Sequence, residues 1–209
     1  MTSPDSAAGP VLIIVNGPLD AAKSSIARVL AERLGLPRFS LDEIRDGLFE
    51  ATSPLTRTAE GQQRKLAAQA SELLLAQGAG LLEAGESVLL EGPLQPRVDD
   101  ARVARLRREF GVRPLQLLVT AALPVLVRRH EQRAVRQLAQ APRSPRALRD
   151  LERSLRNDSR PLDGLPTIRV DTTSFERVDI DGLEARLRAW MLEGNSLGGG
   201  TDASDARAE

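Results

Sequence analysis

The chain has 209 residues, a formal net charge of zero and no cysteine. The absence of cysteine excludes disulfides and thiolate metal sites, and the balanced charge gives no general attraction to nucleic acid or to anionic membranes. Aromatic residues make up only 2% of the chain, and no apolar segment approaches the roughly 20 residues of a membrane span. We therefore expect a cytoplasmic protein with one domain at 11–193, between disordered tails at 1–10 and 194–209.

Short aliphatic runs alternate with helical patterns along this domain. The predicted strands are 11–15, 38–41, 87–90, 115–119 and 167–170. The predicted helices are one that ends at Gly35, one that starts at Asp42, and then 59–84, 97–110, 124–140, 146–157 and 179–192. The alternation predicts an α/β fold of three layers, in which a doubly wound, five-stranded parallel sheet is covered by helices on both faces.

In such a fold, ligands bind at the carboxyl ends of the strands. This rule brings together segments that are distant in sequence. They are Gly17–Ser24, Asp42, Glu91–Pro93, Thr120 and Asp171–Thr173.

The loop after the first strand is the most informative of these segments. Gly17 and Lys23 stand six residues apart and Ser24 follows, which is the spacing of the phosphate-binding motif G-x-x-x-x-G-K-[ST]. Backbone N–H groups of such a loop surround a phosphate, the lysine binds it as a point charge, and the serine holds Mg²⁺. Ala22 replaces the second glycine, so we expect either crowding by its methyl group or a backbone angle that alanine disfavours. The alternative is an ordinary strand–turn–helix corner with a solvent-facing lysine.

Three further residues near strand ends are candidates for chemistry. Asp42 could orient and deprotonate a substrate hydroxyl, or it could only cap the helix that it begins. Arg45, one turn later, could bind an anionic or polar substrate group, or it could be a solvated surface residue. Glu91 could order the water shell of Mg²⁺ or the attacking group, or it could be a solubilising residue at a strand end.

Arginines are concentrated in the third quarter of the chain. Arg129, Arg133 and Arg136 are spaced to share one helical face, and a second Arg-rich helix follows a break at Pro142 and Pro145. The arginines of that second helix are Arg146, Arg149, Arg153, Arg156 and Arg160. Two such helices at about 128–160 suit a mobile lid that covers a phosphoryl group. A solvated arginine face is the alternative.

His130 is the only histidine of the chain and stands among charged neighbours. No Ser or Cys nucleophile signal is near it, and it has no metal-ligand spacing. We therefore expect it at the surface.

These motifs, in this order, resemble small P-loop kinases, most of all the zeta-toxin and chloramphenicol-phosphotransferase type, here with a degenerate phosphate-binding loop. The resemblance covers about Val11–Leu192 and includes the D-x-I-R motif at Asp42. It implies ATP as phosphoryl donor, Mg²⁺, and Asp42 as the substrate-side carboxylate. It also implies Arg129 and Arg133 as lid arginines and Thr172 beside the adenine. The implied nucleotide contacts are Gly17, Pro18, Leu19, Asp20, Ala21, Ala22, Lys23, Ser24 and Ser25.

The function predicted from the sequence is therefore ATP-dependent phosphoryl transfer to a hydroxyl of a small molecule, with no membrane partner. A first alternative is a nucleotide-binding switch or adaptor with weakened catalysis, which Ala22 favours. A second is a binding module that uses the stretch Arg143–Arg160 on RNA or an acidic protein. The zero net charge and scarce aromatics count against RNA.

Overall fold

Five parallel strands form a sheet with the order β2-β3-β1-β4-β5. The computed structural model describes residues 9–52, 60–96, 98–136 and 145–192. The strands are β1 (Val11–Asn16), β2 (Arg38–Ser40), β3 (Val88–Glu91), β4 (Arg113–Thr120) and β5 (Thr167–Asp171). The predicted five-stranded parallel sheet is thereby confirmed.

Seven α-helices are present in the described part of the chain, together with a short 3₁₀ helix at Phe175–Arg177. The α-helices are α1 (Lys23–Leu34), α2 (Leu41–Ala51), α3 (Glu60–Glu83), α4 (Asp100–Phe110), α5 (Leu123–Arg136), α6 (Pro145–Asp158) and α7 (Ile180–Leu192). The predicted tails, apart from Gly9 and Pro10, and the predicted proline break at Pro142 lie outside the described residues, as does Arg143.

Both faces of the three inner strands, β1, β3 and β4, are buried, whereas the edge strand β5 alternates buried and exposed residues. In β1, Ile13 and Val15 pack with α1, α5, α6 and α7, whereas Leu12 and Ile14 pack with α3 and α4 on the opposite face. All six residues of β1 are buried. This arrangement is the predicted set of three layers, and it places β1 at the centre of the sheet.

Several element boundaries differ from those predicted by one to three residues, and the shift at the start of α2 moves a candidate site residue into a helix. Strand β2 ends at Ser40, and helix α2 begins at Leu41, so Asp42 lies inside the first helical turn. Helix α4 begins at Asp100 instead of 97. The Asp99 carboxylate accepts a hydrogen bond from the Gln95 N–H at 2.8 Å, which stabilises a turn ahead of the helix.

No helix in the described ranges is both long enough and apolar enough to cross a membrane.

Candidate active site

The loop between β1 and α1 lies at the carboxyl end of the sheet and begins at Gly17. This residue has φ 147°, a region that favours glycine. A Cβ atom at this position would stand 2.0 Å from the carbonyl oxygen of Val119 in β4. The chain can therefore turn here only because the residue has no side chain.

Asp20 and Ala22, later in the loop, adopt left-handed backbone conformations with φ 62° and 64°. Asp tolerates this region, but alanine is disfavoured there. The unfavourable backbone angle expected at Ala22 is therefore present. Helix α1 begins directly after Ala22 and has no side-chain cap, so its positive N-terminal end faces the loop.

Lys23, the first residue of α1, is buried against this loop, with 8% of its surface exposed. Its Nζ donates a hydrogen bond to the carbonyl oxygen of Pro18 at 2.8 Å. Burial lowers the pKa of Lys23. Four carboxylates oppose this shift by stabilising the ammonium: Asp42, Glu91, Asp158 and Asp20. The alternative of a solvent-facing lysine is therefore wrong.

Ser24 and Glu91 lie beside the lysine and contact each other. The Ser24 hydroxyl donates to Glu91 Oε1 at 2.5 Å, and Arg38 Nη1 donates to Glu91 Oε2 at 2.8 Å. Glu91 is only 1% exposed, so the alternative of a solubilising strand-end residue is wrong. A hydroxyl and a carboxylate are the hard oxygen ligands that Mg²⁺ prefers, so this pair fits a magnesium ion.

Asp42 and Arg45 lie on α2 and form an ion pair with an N–O distance of 3.0 Å. The Asp42 side chain remains 40% exposed, and of the four carboxylates it makes the largest single contribution to stabilising the Lys23 ammonium. The N-cap of α2 is Ser40, so the alternative of Asp42 as the helix cap is wrong. Its carboxylate in the first turn still interacts favourably with the helix dipole.

Arg129 on α5 bridges the end of β5 and the phosphate loop. It donates to the Thr172 carbonyl at 2.6 Å and to the Thr172 hydroxyl at 3.1 Å. The buried Thr172 hydroxyl also lies 3.0 Å from the carbonyl oxygens of Ala21 and Thr120. Arg129, which the resemblance implies to be a lid arginine, is thus in direct contact with Thr172, which the resemblance implies to lie beside the adenine.

Arg133 and His130, both on α5, contact the carboxylate of Asp20. Arg133 Nη1 lies 3.2 Å from Oδ1, and His130 Nδ1 lies 2.8 Å from Oδ2. The predicted surface position of His130 is wrong, because its side chain is only 16% exposed. The i, i+3 spacing of the two residues was the sequence signal for a shared helical face.

Ser154 and Asp158 on α6 are site residues that the sequence analysis missed. The Ser154 hydroxyl accepts a hydrogen bond from the Leu19 N–H at 2.8 Å and donates to Asp158 Oδ2 at 2.5 Å. Burial raises the pKa of Asp158. Both are spaced to share a helical face with the buried Leu151. Leu148, Leu151 and Leu155 form an apolar stripe in the sequence, and the polar residues beside it were the available signal.

A cavity of about 460 Å³ opens beside the start of α1. The walls come from the phosphate loop region, α5 and the segment after β5. They consist of Ala22, Ser25, Arg128, Arg129, Gln132, Thr173, Phe175 and Glu176. Its volume is within the usual range for small-molecule sites.

The sheet order, the loop at the end of the central strand and the buried lysine define a P-loop kinase-like protein. The family of AAA domains designated AAA_33 matches residues 12–157. The chain belongs to this family. No curated protein sequence matches the chain at a significant level.

Solved structures with the same fold include several kinases. A Chloroflexus aurantiacus protein, provisionally described as a kinase, is 28% identical with a TM-score of 0.79, over 90% of this chain and 100% of its own. Mycobacterium tuberculosis APS kinase CysC, in complex with AMPPNP and APS, is 17% identical with a TM-score of 0.57, over 87% and 97%. A Sinorhizobium meliloti gluconokinase is 19% identical with a TM-score of 0.50, over 88% and 98%. Family and fold together support nucleotide-dependent phosphoryl transfer as the general activity.

Proposed function

We propose that the protein is an ATP-dependent phosphotransferase that moves the γ-phosphoryl group to a hydroxyl of a small-molecule acceptor. The observation that carries this proposal is the buried Lys23 in the glycine-started loop, next to the Ser24–Glu91 pair. A buried ammonium and a hydroxyl–carboxylate pair at the start of a helix suit a triphosphate and its metal ion.

The nucleotide would bind with its phosphates in the loop from Gly17 to Ser25. Lys23 would leave the Pro18 carbonyl and bind the β- and γ-phosphates as a point charge. Arg129 would approach the phosphates from α5, and the nucleoside would occupy the cavity beside Ala22, next to Thr172. Ser24 would hold Mg²⁺ and Glu91 would order its water shell, and the ion would supply positive charge beside the phosphates.

The acceptor would bind on the side of Asp42. Its hydroxyl oxygen would attack the γ-phosphorus, the bond to the bridging oxygen of the leaving ADP would break, and the hydroxyl proton would pass to the Asp42 carboxylate. Arg45 holds that carboxylate through their ion pair. Catalysis would thus depend mainly on position and on charge stabilisation, to which Arg133 would contribute.

The subgroup and the cellular setting are part of the same proposal. We place the protein with the zeta-toxin and chloramphenicol-phosphotransferase type because of the D-x-I-R motif, which starts at Asp42 and lies at the start of α2. From there the Asp42 carboxylate stabilises the charged form of Lys23. The scarcity of aromatic residues leaves few platforms for stacking nucleic acid bases, which favours a small hydroxylated acceptor. A cytoplasmic setting is compatible with the absence of cysteine.

We expect Asp42→Asn to lower kcat for phosphoryl transfer by about 10²–10⁴-fold, because the amide cannot accept the hydroxyl proton. The KM for MgATP should change little, since Asp42 acts on the acceptor side. ADP release measured over a panel of hydroxylated metabolites, first with the wild type and then with the variant, checks this prediction.

Asp46→Asn is the matched control, because Asp46 also pairs with Arg45, at 3.6 Å, but its side chain is 71% exposed. This control should keep wild-type turnover. An Asp42→Asn variant that transfers phosphate as fast as the control would refute the assigned role of Asp42. A wild type that binds no MgATP in calorimetric titration would refute the proposed function itself.

The left-handed backbone conformation of Ala22 favours a second candidate function, that of a nucleotide-binding switch with weakened turnover. Ala22→Gly should stabilise the fold by about 0.5–1 kcal/mol, because relief of the left-handed strain exceeds the entropy cost of glycine. Urea denaturation measures this change. Ala68→Gly, at an exposed position inside α3, is the control and should instead destabilise by about 1 kcal/mol. Binding of MgATP without turnover in the wild type, with turnover restored in Ala22→Gly, would favour the switch.

A further inference from the structure

The phosphate loop has an unusual composition for its shape. After Gly17 it contains no glycine, yet two of its residues, Asp20 and Ala22, adopt left-handed conformations. Such conformations persist only where the surrounding structure holds them in place. Glycine would adopt these backbone angles without strain, so contacts from neighbouring elements have to stabilise them here.

Helix α5 holds the loop at Asp20. The carboxylate of this residue, 5% exposed, is bound from two sides by His130 Nδ1 at 2.8 Å and Arg133 Nη1 at 3.2 Å. Arg129 Nη1 lies 3.4 Å from the Asp20 carbonyl oxygen. Both the side chain and the backbone of the left-handed residue are thus bound by one helix.

Helix α6 holds the preceding residue. The Leu19 N–H donates to the Ser154 hydroxyl at 2.8 Å, and the hydroxyl donates its own proton to Asp158 Oδ2 at 2.5 Å. The Asp158 acceptor fixes the orientation of the Ser154 hydroxyl, so its lone pair faces the loop amide. Asp158 is 5% exposed, so this anchor is shielded from water.

We propose that His130 and Ser154 are positioning residues that hold the phosphate loop in its nucleotide-binding shape, through Asp20 and Leu19 respectively. The inference rests on the proposed function, since it assigns these residues to the nucleotide site of the same reaction. It also explains how Asp20 keeps its left-handed conformation in a loop that has no glycine after Gly17. The shape of the loop is then coupled to the placement of α5 and α6.

The first test compares Ser154→Ala with Ser87→Ala. Ser87 is a matched control because its hydroxyl also accepts a backbone N–H, from Val11 at 2.9 Å, but at the opposite end of β1. In Ser154→Ala we expect the Leu19 amide to exchange with solvent at least about tenfold faster, while β1 amides keep wild-type rates. The Kd for MgATP should rise by about tenfold. Ser87→Ala should leave both quantities unchanged.

The second test asks whether His130 acts through its hydrogen bond to Asp20 or only by filling space. Asn can place an amide nitrogen where His130 has Nδ1, so His130→Asn should retain most of the MgATP affinity. His130→Leu fills similar space but cannot hydrogen-bond to the Asp20 carboxylate, and it should weaken MgATP binding by about tenfold. Equal affinities in these two variants would overturn the role of His130.

For Ser154, unchanged Leu19 exchange, faster exchange without weaker binding, or tighter MgATP binding would each overturn the proposal. Failure of the proposed function is distinguishable, because it would appear as absent MgATP binding in the wild type. The exchange rates of the loop amides would still decide whether Ser154 holds the loop.

Discussion

Replacing Lys23 with methionine is expected to lower the rate of phosphoryl transfer from MgATP by about 10²–10³-fold. Methionine keeps most of the volume of the buried side chain but has no charge and no donor for the phosphates. The lost interaction strengthens as negative charge develops on the leaving ADP during transfer, so the effect should fall mainly on kcat. Measuring ADP release at saturating MgATP checks this expectation.

Lys65→Met is the matched control, because Lys65 is the only other lysine and is exposed on α3. It should retain wild-type turnover and MgATP affinity. Removal of the Lys23 ammonium also leaves the surrounding carboxylates without their shared cation, so urea denaturation should accompany the rate measurement. Full activity in a folded Lys23→Met protein would show that the loop does not act on phosphate.

Gly17→Ala is expected to destabilise the fold by about 3 kcal/mol or more and to abolish nucleotide binding. The added methyl group would stand 2.0 Å from the Val119 carbonyl oxygen, and φ 147° is unfavourable for alanine. Either β4 moves away from β1 or the loop changes course, and both changes disrupt the site. The midpoint of urea denaturation and a calorimetric titration with MgATP measure the two effects.

Gly80→Ala makes the same chemical change where the structure leaves room. Gly80 lies in α3, and a Cβ atom there would have no heavy atom of another described element within 4 Å. Alanine favours a helix over glycine, so this variant should gain up to about 1 kcal/mol. Similar stability losses in the two variants would contradict the steric explanation for Gly17.

Much of the fold could be predicted because burial imposes a simple pattern on the chain. Strand β1 is apolar at successive positions since both of its faces are covered, and this continuous run identified it as a strand. Boundaries were less accurate where a side chain outside the element decides them. The Asp99 carboxylate delays α4 in this way, and no periodicity reports such a contact.

The residues of the candidate site also fall into two groups, those fixed by local sequence spacing and those fixed by contacts between distant elements. Gly17, Lys23 and Ser24 were predictable because one short loop must supply several groups to the same phosphate, which imposes a fixed spacing. His130 and Ser154 were not, because each contacts the loop from a helix more than 100 residues away. At that separation, nothing in the local sequence tells whether a polar side chain faces solvent or another element.

The amino-acid sequence by itself determined the alternation of strands and helices and the phosphate loop, since both follow from local geometry and short-range spacing. Only the tertiary structure decided which polar residues of α5 and α6 face that loop. The reason is physical: the rotation of a helix about its axis is settled by packing against the sheet, and that packing turned His130 and Ser154 inward.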